Sequence, residues 1–252
     1  MKQSQTSTRD EETLSTKRGA SSLFAVIVAG GSGLRAGGGL PKQFHLLGGK
    51  QVMVHAVEAF LDADPDTRIV IVTHPDYRLM AEEGMTELAS RRPCRYEIVD
   101  GGSTRAESVR NGLRLVPDDE ETLVAVHDAA RPLATPALVE RGWESARRDG
   151  AAVCCVPVTD SLRETTGDGG SMAVDRSRFL AVQTPQVFRA SLLKKAYSQP
   201  LLPVFTDDAS VVEASGGRVA VFDGEPYNIK ITSPFDFEIA ETILRRRAAE
   251  GV

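Results

Sequence analysis

The sequence predicts an α/β fold with a mostly parallel sheet that is covered by helices on both faces. Short apolar runs alternate with helical patterns along the first two thirds of the chain. Such alternation is typical of parallel strands joined by helical crossovers. With 252 residues, of which 41% are hydrophobic and 26% charged, the chain is long enough for one large domain of this kind.

The apolar runs predict strands over residues 23–28, 68–73, 96–99, 122–127 and 151–156. The patterns between them predict helices over residues 52–61, 77–90, 104–116 and 136–148. Thr104 and Glu107 have the spacing of a capping box at the start of the third helix. In a parallel sheet the ligand site lies at the carboxyl ends of the strands, so we expect functional residues there.

The alternation stops after residue 156. Residues 159–180 resemble a hairpin arm whose tip is the glycine-containing stretch 165–170. Either an arm for dimerisation or an ordinary exposed hairpin fits this pattern. The alternating residues 227–232 predict a short strand, and Ser233, Pro234 and Asp236 predict the start of a last helix.

Composition limits the function and location that we expect. Residues 1–20 are polar and predict a disordered tail, followed by a single domain over residues 21–252. The tail lacks the apolar core of a signal peptide, and no apolar stretch approaches the length of a membrane span. The three cysteines lack C-x-x-C spacing, and the net charge is −5. We therefore expect a cytoplasmic protein with no membrane or nucleic-acid partner.

The first predicted strand leads into a glycine-rich turn that is followed by two cations, Arg35 and Lys42. Backbone amides and fixed cations together are how proteins hold polyphosphates. A P-loop is excluded, because its lysine spacing and its following hydroxyl are missing. A dinucleotide-binding helix is disfavoured, because the glycines at 37–39 and Pro41 would break it. The segment predicts a nucleotide-binding loop, with a flexible surface turn as the alternative.

Two further strand ends carry candidate residues. Gly101 and Gly102 precede a helix on which Arg105 and Ser108 share a face. This turn could bind a nucleotide base, and an ordinary capped helix is the alternative. Asp128 follows the fourth strand and is succeeded by small residues, which leaves room for a ligand or metal. An ion pair with Arg131 that stabilises the turn is the alternative. We expect His127 to be a packing residue.

The last third of the chain adds cations but no recognisable nucleophile. Arg35, Lys42, Arg176 and Lys230 together would offset the charge of a polyphosphate and of a second phosphate. Neither a G-x-S-x-G elbow nor an H-E-x-x-H motif is present.

Seven motifs follow one another over roughly residues 23–245: AGGSGLRAGGGLPKQF, GGSTRAESVRNGL, HDAARP, VDRSRF, QTPQVF, FTDDAS and NIKIT. Taken together and in order, they resemble the 2-C-methyl-D-erythritol 4-phosphate cytidylyltransferases of the non-mevalonate isoprenoid pathway. The resemblance implies a Rossmann-like nucleotidyltransferase fold, a three-layer sandwich with a β-arm for dimerisation. It also implies an enzyme that forms the CDP-alcohol and pyrophosphate from CTP and methylerythritol 4-phosphate, with Mg²⁺.

The resemblance also implies roles for individual residues. Arg35 and Lys42 would stabilise the triphosphate in the transition state, and Arg176 and Lys230 would position the attacking phosphate. Asp128, Thr206 and Arg131 would lie near the methylerythritol moiety. The nucleotide would lie against Ala29, Gly30, Gly31, Gly33, Gly102, Ser103, Arg105, Ser108 and Ala129.

Other implications concern the assembly and the metal. The arm that carries Arg176 would reach the site of the second subunit in a homodimer. Mg²⁺ would be bound mainly through the phosphates of CTP, with Asp128 as a candidate direct ligand. In this chain Ser103 replaces an acid that some members have at the edge of the base pocket.

Three alternatives remain at this stage. A ribitol 5-phosphate cytidylyltransferase shares the loop, the QTPQ-like segment and the arm, although its acidic motif tends toward valine before the arginine, where this chain has Ala130. A non-catalytic nucleotide-binding protein could keep the same fold. An NAD-dependent enzyme is the third alternative.

Overall fold

A seven-stranded sheet forms the centre of the fold in a computed structural model that describes residues 22–31 and 39–250. The strands in these residues are β1 (Leu23–Ala29), β2 (Leu46–Leu47), β3 (Lys50–Gln51), β4 (Arg68–Thr73), β5 (Arg95–Asp100), β6 (Leu123–Asp128), β7 (Ala151–Pro157), β8 (Arg163–Thr165), β9 (Ser171–Ala173), β10 (Leu180–Arg189) and β11 (Ala220–Asp223). The α-helices in the same residues are α1 (Val52–Ala63), α2 (Arg78–Arg91), α3 (Arg105–Gly112), α4 (Pro136–Asp149), α5 (Ala190–Tyr197), α6 (Asp208–Ala214) and α7 (Pro234–Glu250).

The central sheet has the strand order β11-β7-β10-β6-β1-β4-β5. Its pairs are parallel except those of β10, which runs antiparallel to both of its neighbours, β6 and β7. The prediction of a mostly parallel sheet is therefore confirmed. β1, β4, β5 and β6 all end at the same edge of the sheet, because they run in one direction.

The two faces of the sheet bury separate apolar clusters. Along β1, Ala25 and Ile27 face a cluster that contains Met53 of α1 and Trp143 of α4. Phe24 and Val26 face the other cluster, to which α3, α5 and α6 contribute Val109, Leu193 and Val211. Alternate strand residues thus cover both faces with helices, which gives the expected three-layer sandwich.

The predicted strands and helices up to residue 157 are present, with one change in the third helix. α3 ends at Gly112, and residues 113–115 form a 3₁₀ turn. At Gly112 the helix lies so close to the sheet that a Cβ atom would come within 2.8 Å of methyl carbons of Val26 and Val72. The glycine therefore permits this close packing.

The last third of the chain differs more from the expectations. The strand predicted over residues 227–232 is wrong, since this segment belongs to no strand among the described residues. It is held instead by single hydrogen bonds, such as that from Ile231 N to Ala130 O at 2.8 Å. β10 was not predicted, because Pro185 in its middle reads as a break in a sequence pattern.

The hairpin arm is present as β8 and β9, which pair antiparallel around a turn at residues 166–170. Every residue of these two short strands is exposed. The predicted last helix is α7, and the carboxylate of Asp236 accepts hydrogen bonds from the backbone amides of Thr232 and Ser233 at its start. No helix within residues 22–31 and 39–250 is long and apolar enough to cross a membrane.

Candidate active site

A cleft of about 1170 Å³ opens at the carboxyl ends of β1, β4, β5 and β6. The turns after β1 and β5 line it with glycine backbone, and Lys42, Arg105, Asp128 and Lys230 add charged side chains. This is the edge of a parallel sheet at which ligands bind. The cleft therefore combines backbone amides, cations and one carboxylate.

Gln43, which follows the loop after β1, ties the far end of that loop to its beginning. Its side chain is buried, and its Nε2 donates hydrogen bonds to Ala29 O at 2.6 Å and to Gly31 O at 3.0 Å. Lys42 is the preceding residue in a short 3₁₀ helix, Lys42–Phe44. Gln43 thus places Lys42 next to the end of β1.

The turn after β5 is shaped by the start of α3. The buried hydroxyl of Ser108 accepts a hydrogen bond from Gly102 N at 3.1 Å and donates one to Thr104 O at 2.9 Å. A Cβ atom at Gly102 would lie 2.3 Å from Cβ of Glu107, so a side chain does not fit there. The glycines therefore leave backbone, rather than side chains, as the wall of the cleft.

Only half of the predicted capping box forms at this helix. Thr104 Oγ1 accepts from Glu107 N at 3.1 Å, as expected. The Glu107 carboxylate, however, accepts from Ser103 N at 2.8 Å and from the Ser103 hydroxyl instead of from the Thr104 amide. The Ser103 side chain is thus engaged with the helix start.

Asp128 is the central charge of the cleft. Its Oδ2 accepts from Lys230 Nζ at 2.8 Å and its Oδ1 from Arg105 Nε at 3.3 Å, while Arg131 Nε lies 4.0 Å from Oδ2. Burial opposes ionisation of this carboxyl, but Arg105 and Lys230 outweigh burial and hold its pKa well below the usual range. Asp128 is therefore a fixed anion that orients cations. The predicted pair with Arg131 is the longest of these contacts.

Lys230 is positioned by the backbone around it. Asn228 is fully buried; its Nδ2 donates to Thr184 O at 2.8 Å, and its own carbonyl accepts from Arg131 Nη1 at 2.7 Å. Ile231, which directly follows Lys230, is buried in a small cluster with Leu133 and Val52. The lysine stem thus starts from anchored backbone and its ammonium group reaches Asp128.

His127 is buried beneath Asp128. Its Nε2 lies 3.1 Å from Arg131 O, which only accepts, so we assign the ring proton to Nε2. Its Nδ1 then accepts from the Thr184 hydroxyl at 3.0 Å. Burial lowers the pKa of His127 to about 4, so the ring is neutral and serves packing, as the sequence predicted.

Comparison with known proteins identifies relatives over nearly all of the described chain. The model of the family "IspD: 2-C-methyl-D-erythritol 4-phosphate cytidylyltransferase" matches residues 23–246. The chain is similar to 2-C-methyl-D-erythritol 4-phosphate cytidylyltransferase of Bacteroides thetaiotaomicron, with 44% identity over 87% of this chain and 98% of the relative. The same enzyme of Porphyromonas gingivalis is also 44% identical, over 88% of this chain and 97% of the relative.

The chain belongs to the 2-C-methyl-D-erythritol 4-phosphate cytidylyltransferase family.

Solved structures of this family share the fold. The enzyme from Thermus thermophilus superposes with a TM-score of 0.69 at 32% identity, covering 89% of this chain and 99% of that one. The 4-diphosphocytidyl-2C-methyl-D-erythritol synthase from Anaerococcus prevotii gives a TM-score of 0.74 at 25% identity, covering 89% and 98%. The predicted fold class and the prediction of a nucleotidyltransferase are thereby confirmed.

The structure brings most of the site residues predicted for this cytidylyltransferase family to one cleft. Those that line it are Gly30, Gly31, Lys42, Gly102, Ser103, Arg105, Ser108, Asp128 and Lys230. Ala29 and Ala129 are buried at the adjoining strand ends, and Ala129 N donates to Val28 O at 3.1 Å. Gly33 and Arg35 lie outside the described residues.

Three other predicted residues are not part of the cleft wall in the described chain. Thr206 and Arg176 are both exposed, and the guanidinium of Arg176 donates to Thr159 O at the base of the arm. Arg131 lies behind Asp128, with its guanidinium bound to Asn228 O. The roles of Arg131, Thr206 and Arg176 in substrate binding stay predictions.

Several residues of the site were missed by sequence reasoning. His74 and Pro75 follow β4 and line the cleft. Their position at the end of a strand could have indicated them from the sequence. Asp208 is fully buried and binds Arg105 Nη2 at 2.8 Å, and Tyr197 donates to Asp208 at 2.6 Å. No local pattern marks Tyr197, because its partner is reached only through the packing of α5 on α6.

The buried histidine predicts a pH dependence of stability. As the pH falls from about 6.5 to 4, the unfolded chain binds a proton at His127 and the folded chain does not, so the free energy of unfolding decreases, by up to about 3 kcal/mol. In urea titrations at a series of pH values, His127→Gln should flatten this dependence. A His45→Gln control, which leaves the buried histidine in place, should retain it. Equal pH dependence in the wild type and His127→Gln would contradict the assignment.

Proposed function

We propose that this chain transfers the cytidylyl group of CTP to 2-C-methyl-D-erythritol 4-phosphate, giving 4-diphosphocytidyl-2-C-methyl-D-erythritol and pyrophosphate. Membership of the family supports the reaction, since its curated relatives carry that enzyme's name. The observation that carries the proposal is the Lys230–Asp128 pair in a cleft that Lys42 also lines. The cleft thus offers cations from two parts of the chain to two phosphate-bearing substrates.

The chemistry requires no nucleophilic side chain. The phosphate of the acceptor is itself the nucleophile: one of its oxygens bonds to the α-phosphorus of CTP, and the bond from that phosphorus to the bridging oxygen breaks to release pyrophosphate. What the protein supplies is alignment of the two anions and stabilisation of the charge that develops between them. The cations of the cleft suit both tasks.

Lys230 fits the task of holding the acceptor phosphate. An ammonium group has three hydrogen-bond donors, and Asp128 takes one of them, which leaves donors that can bind phosphate oxygens. Asp128 also prevents the lysine from swinging freely. Lys42, fixed next to the end of β1, would stabilise the triphosphate together with Arg35.

Magnesium fits this site only as part of the substrate complex. The described residues contain no group of three or more His, Cys, Asp or Glu side chains that could hold a metal ion. Both carboxylate oxygens of Asp128 already face cations, so this residue is poorly suited as the direct ligand considered from the sequence. Mg²⁺ commonly binds through substrate phosphates, and we propose that it arrives with CTP.

We further propose a homodimer in which the arm of one protomer completes the site of the other. The exposed apolar residues at the arm and the start of β10, which are Met172, Phe179, Leu180 and Val182, support an interface there. Arg176 belongs to this exposed region and does not line its own cleft.

The three free cysteines support the cytoplasm as the compartment.

Pyrophosphate release measures the proposed activity directly. With CTP and Mg²⁺, methylerythritol 4-phosphate should give turnover, and ribitol 5-phosphate should give a kcat/KM lower by at least about tenfold, the range reached by modest differences in substrate contacts. Preference for ribitol 5-phosphate would reassign the enzyme within its class. Binding of CTP with no turnover of either alcohol would instead support a non-catalytic protein.

Mixing two inactive variants tests the shared site. Lys42→Ala and Arg176→Ala should each lower kcat by at least about a hundredfold, the loss expected for a preorganised electrostatic contact. If Arg176 acts in the partner's site, each mixed dimer contains one intact site. Random exchange of equal amounts should then restore about a quarter of wild-type activity.

Two matched variants control this experiment. Lys195→Ala removes an exposed lysine far from the cleft, and Arg178→Ala removes another exposed arginine of the arm; both should retain near-wild-type turnover. No recovery on mixing, after dimer exchange has been verified with differently tagged protomers, would place Arg176 in the site of its own chain and contradict the proposal.

A further inference from the structure

Asp208 is a buried carboxylate that the reaction itself does not use. It is the first residue of α6 and has no exposed surface. Its Oδ1 accepts from the Tyr197 hydroxyl at 2.6 Å, and its Oδ2 accepts from Arg105 Nη2 at 2.8 Å. A buried carboxylate is costly unless it is paired and hydrogen-bonded, so Arg105 is strongly held at this position.

The surroundings of Asp208 are themselves fixed to the sheet. Gln186 of β10 accepts from Ala209 N at 2.8 Å through its side-chain oxygen and donates to Asp207 Oδ2 at 2.9 Å through its side-chain nitrogen. Tyr197, at the end of α5, is almost fully buried. The carboxylate of Asp208 is therefore a rigid point, anchored from three elements, to which Arg105 is attached.

The same guanidinium also reaches the central carboxylate of the cleft. Arg105 directs Nη2 to Asp208 and Nε to Asp128 Oδ1, so the two carboxylates divide its donors. Burial opposes the charge of Arg105, but Asp208 and Asp128 outweigh burial and raise its pKa, so it stays charged. Asp128 Oδ2 is left to Lys230.

We propose that Asp208 and Tyr197 are positioning residues of the cytidylyl transfer, which hold Arg105 on one oxygen of Asp128 and so reserve the other oxygen for Lys230. Without the charge of Asp208, Arg105 would have Asp128 as its remaining carboxylate partner. Arginine and a carboxylate favour a two-point contact. Arg105 would then occupy both oxygens of Asp128 and displace the ammonium group of Lys230.

This inference rests on the proposed function, because it acts through the role given to Lys230. It predicts an asymmetric effect on the two substrates. Asp208→Asn keeps the shape of the side chain and an acceptor for Tyr197 but removes the charge. It should raise KM for methylerythritol 4-phosphate about tenfold and KM for CTP by a clearly smaller factor, a range set by coupling between neighbouring polar groups.

A double-mutant cycle separates positioning from mere support of the fold. If Asp208 acts through Lys230, the effect of Asp208→Asn on kcat/KM for the acceptor should shrink to less than about twofold in a Lys230→Ala background. Val212→Ala supplies the matched control, since Val212 is buried in the same helix but contributes only to the apolar cluster. It should lower the melting temperature without changing the ratio of the two KM values.

Tyr197→Phe provides a second, milder variant. It retains the ring and the charge of Asp208 and removes only one hydrogen bond. It should shift KM for the acceptor in the same direction, by about threefold, within the usual range for the net contribution of one hydrogen bond. An unchanged KM for the acceptor in both Asp208→Asn and Tyr197→Phe would overturn the inference. So would an equal loss of kcat/KM on Asp208→Asn in the wild-type and Lys230→Ala backgrounds.

A crystal structure of Asp208→Asn tests the geometric step independently of any substrate. Arg105 should contact both oxygens of Asp128, and Lys230 Nζ should leave the 2.8 Å contact that it makes in the wild type. Lys230 still bound to Asp128 Oδ2 would refute the positioning role, whatever the enzyme's substrate. Failure of the wild type to turn over methylerythritol 4-phosphate would instead refute the proposed function and leave this structural readout to decide the inference.

Discussion

The cleft depends on one buried carboxylate, that of Asp128. Because β6 lies inside the sheet, its last residue is largely withdrawn from water, and an ionised carboxyl there must be compensated by cations. The chain supplies them from separate regions: Arg105 from α3 and Lys230 from the segment before α7. The charge of Asp128 thus brings together elements that are distant in sequence at the edge where β1, β4 and β5 also end.

This arrangement explains how the reaction can proceed without a nucleophilic side chain. Two anionic substrates repel each other, and the cations of the cleft offset this repulsion from positions that are set before either substrate binds. Lys230 is held by Asp128, and Lys42 is placed by the hydrogen bonds of the adjacent Gln43 to Ala29 O and Gly31 O at the end of β1. Preorganised charge of this kind needs little rearrangement during the reaction. The glycine turn after β5 adds a wall of backbone to the same cleft.

The sequence predicted the parts of the fold that have a local signal. Strands such as β1 and β4 are continuous apolar runs, and helices such as α4 start with a threonine cap and a proline, so periodicity and capping suffice to locate them. β10 was not predicted, because a strand that contains Pro185 enters the sheet only through contacts made after folding. The segment at 227–232 was predicted as a strand, because its attachment through Asn228 also depends on contacts made only after folding. For the site, Asp128, Lys42 and Lys230 could be named from motifs. The partner Asp208 of Arg105 could not, because the two residues are far apart in the chain and their side chains meet only in the folded protein.

The most direct test of the account is a crystal structure of the chain with CTP and Mg²⁺. The account predicts cytosine against the glycine turn at Gly102, the triphosphate at Lys42, and the α-phosphorus facing the ammonium group of Lys230, with Lys230 still bound to Asp128. A triphosphate bound away from Lys42, or Asp128 bound directly to the metal with Lys230 displaced, would contradict it.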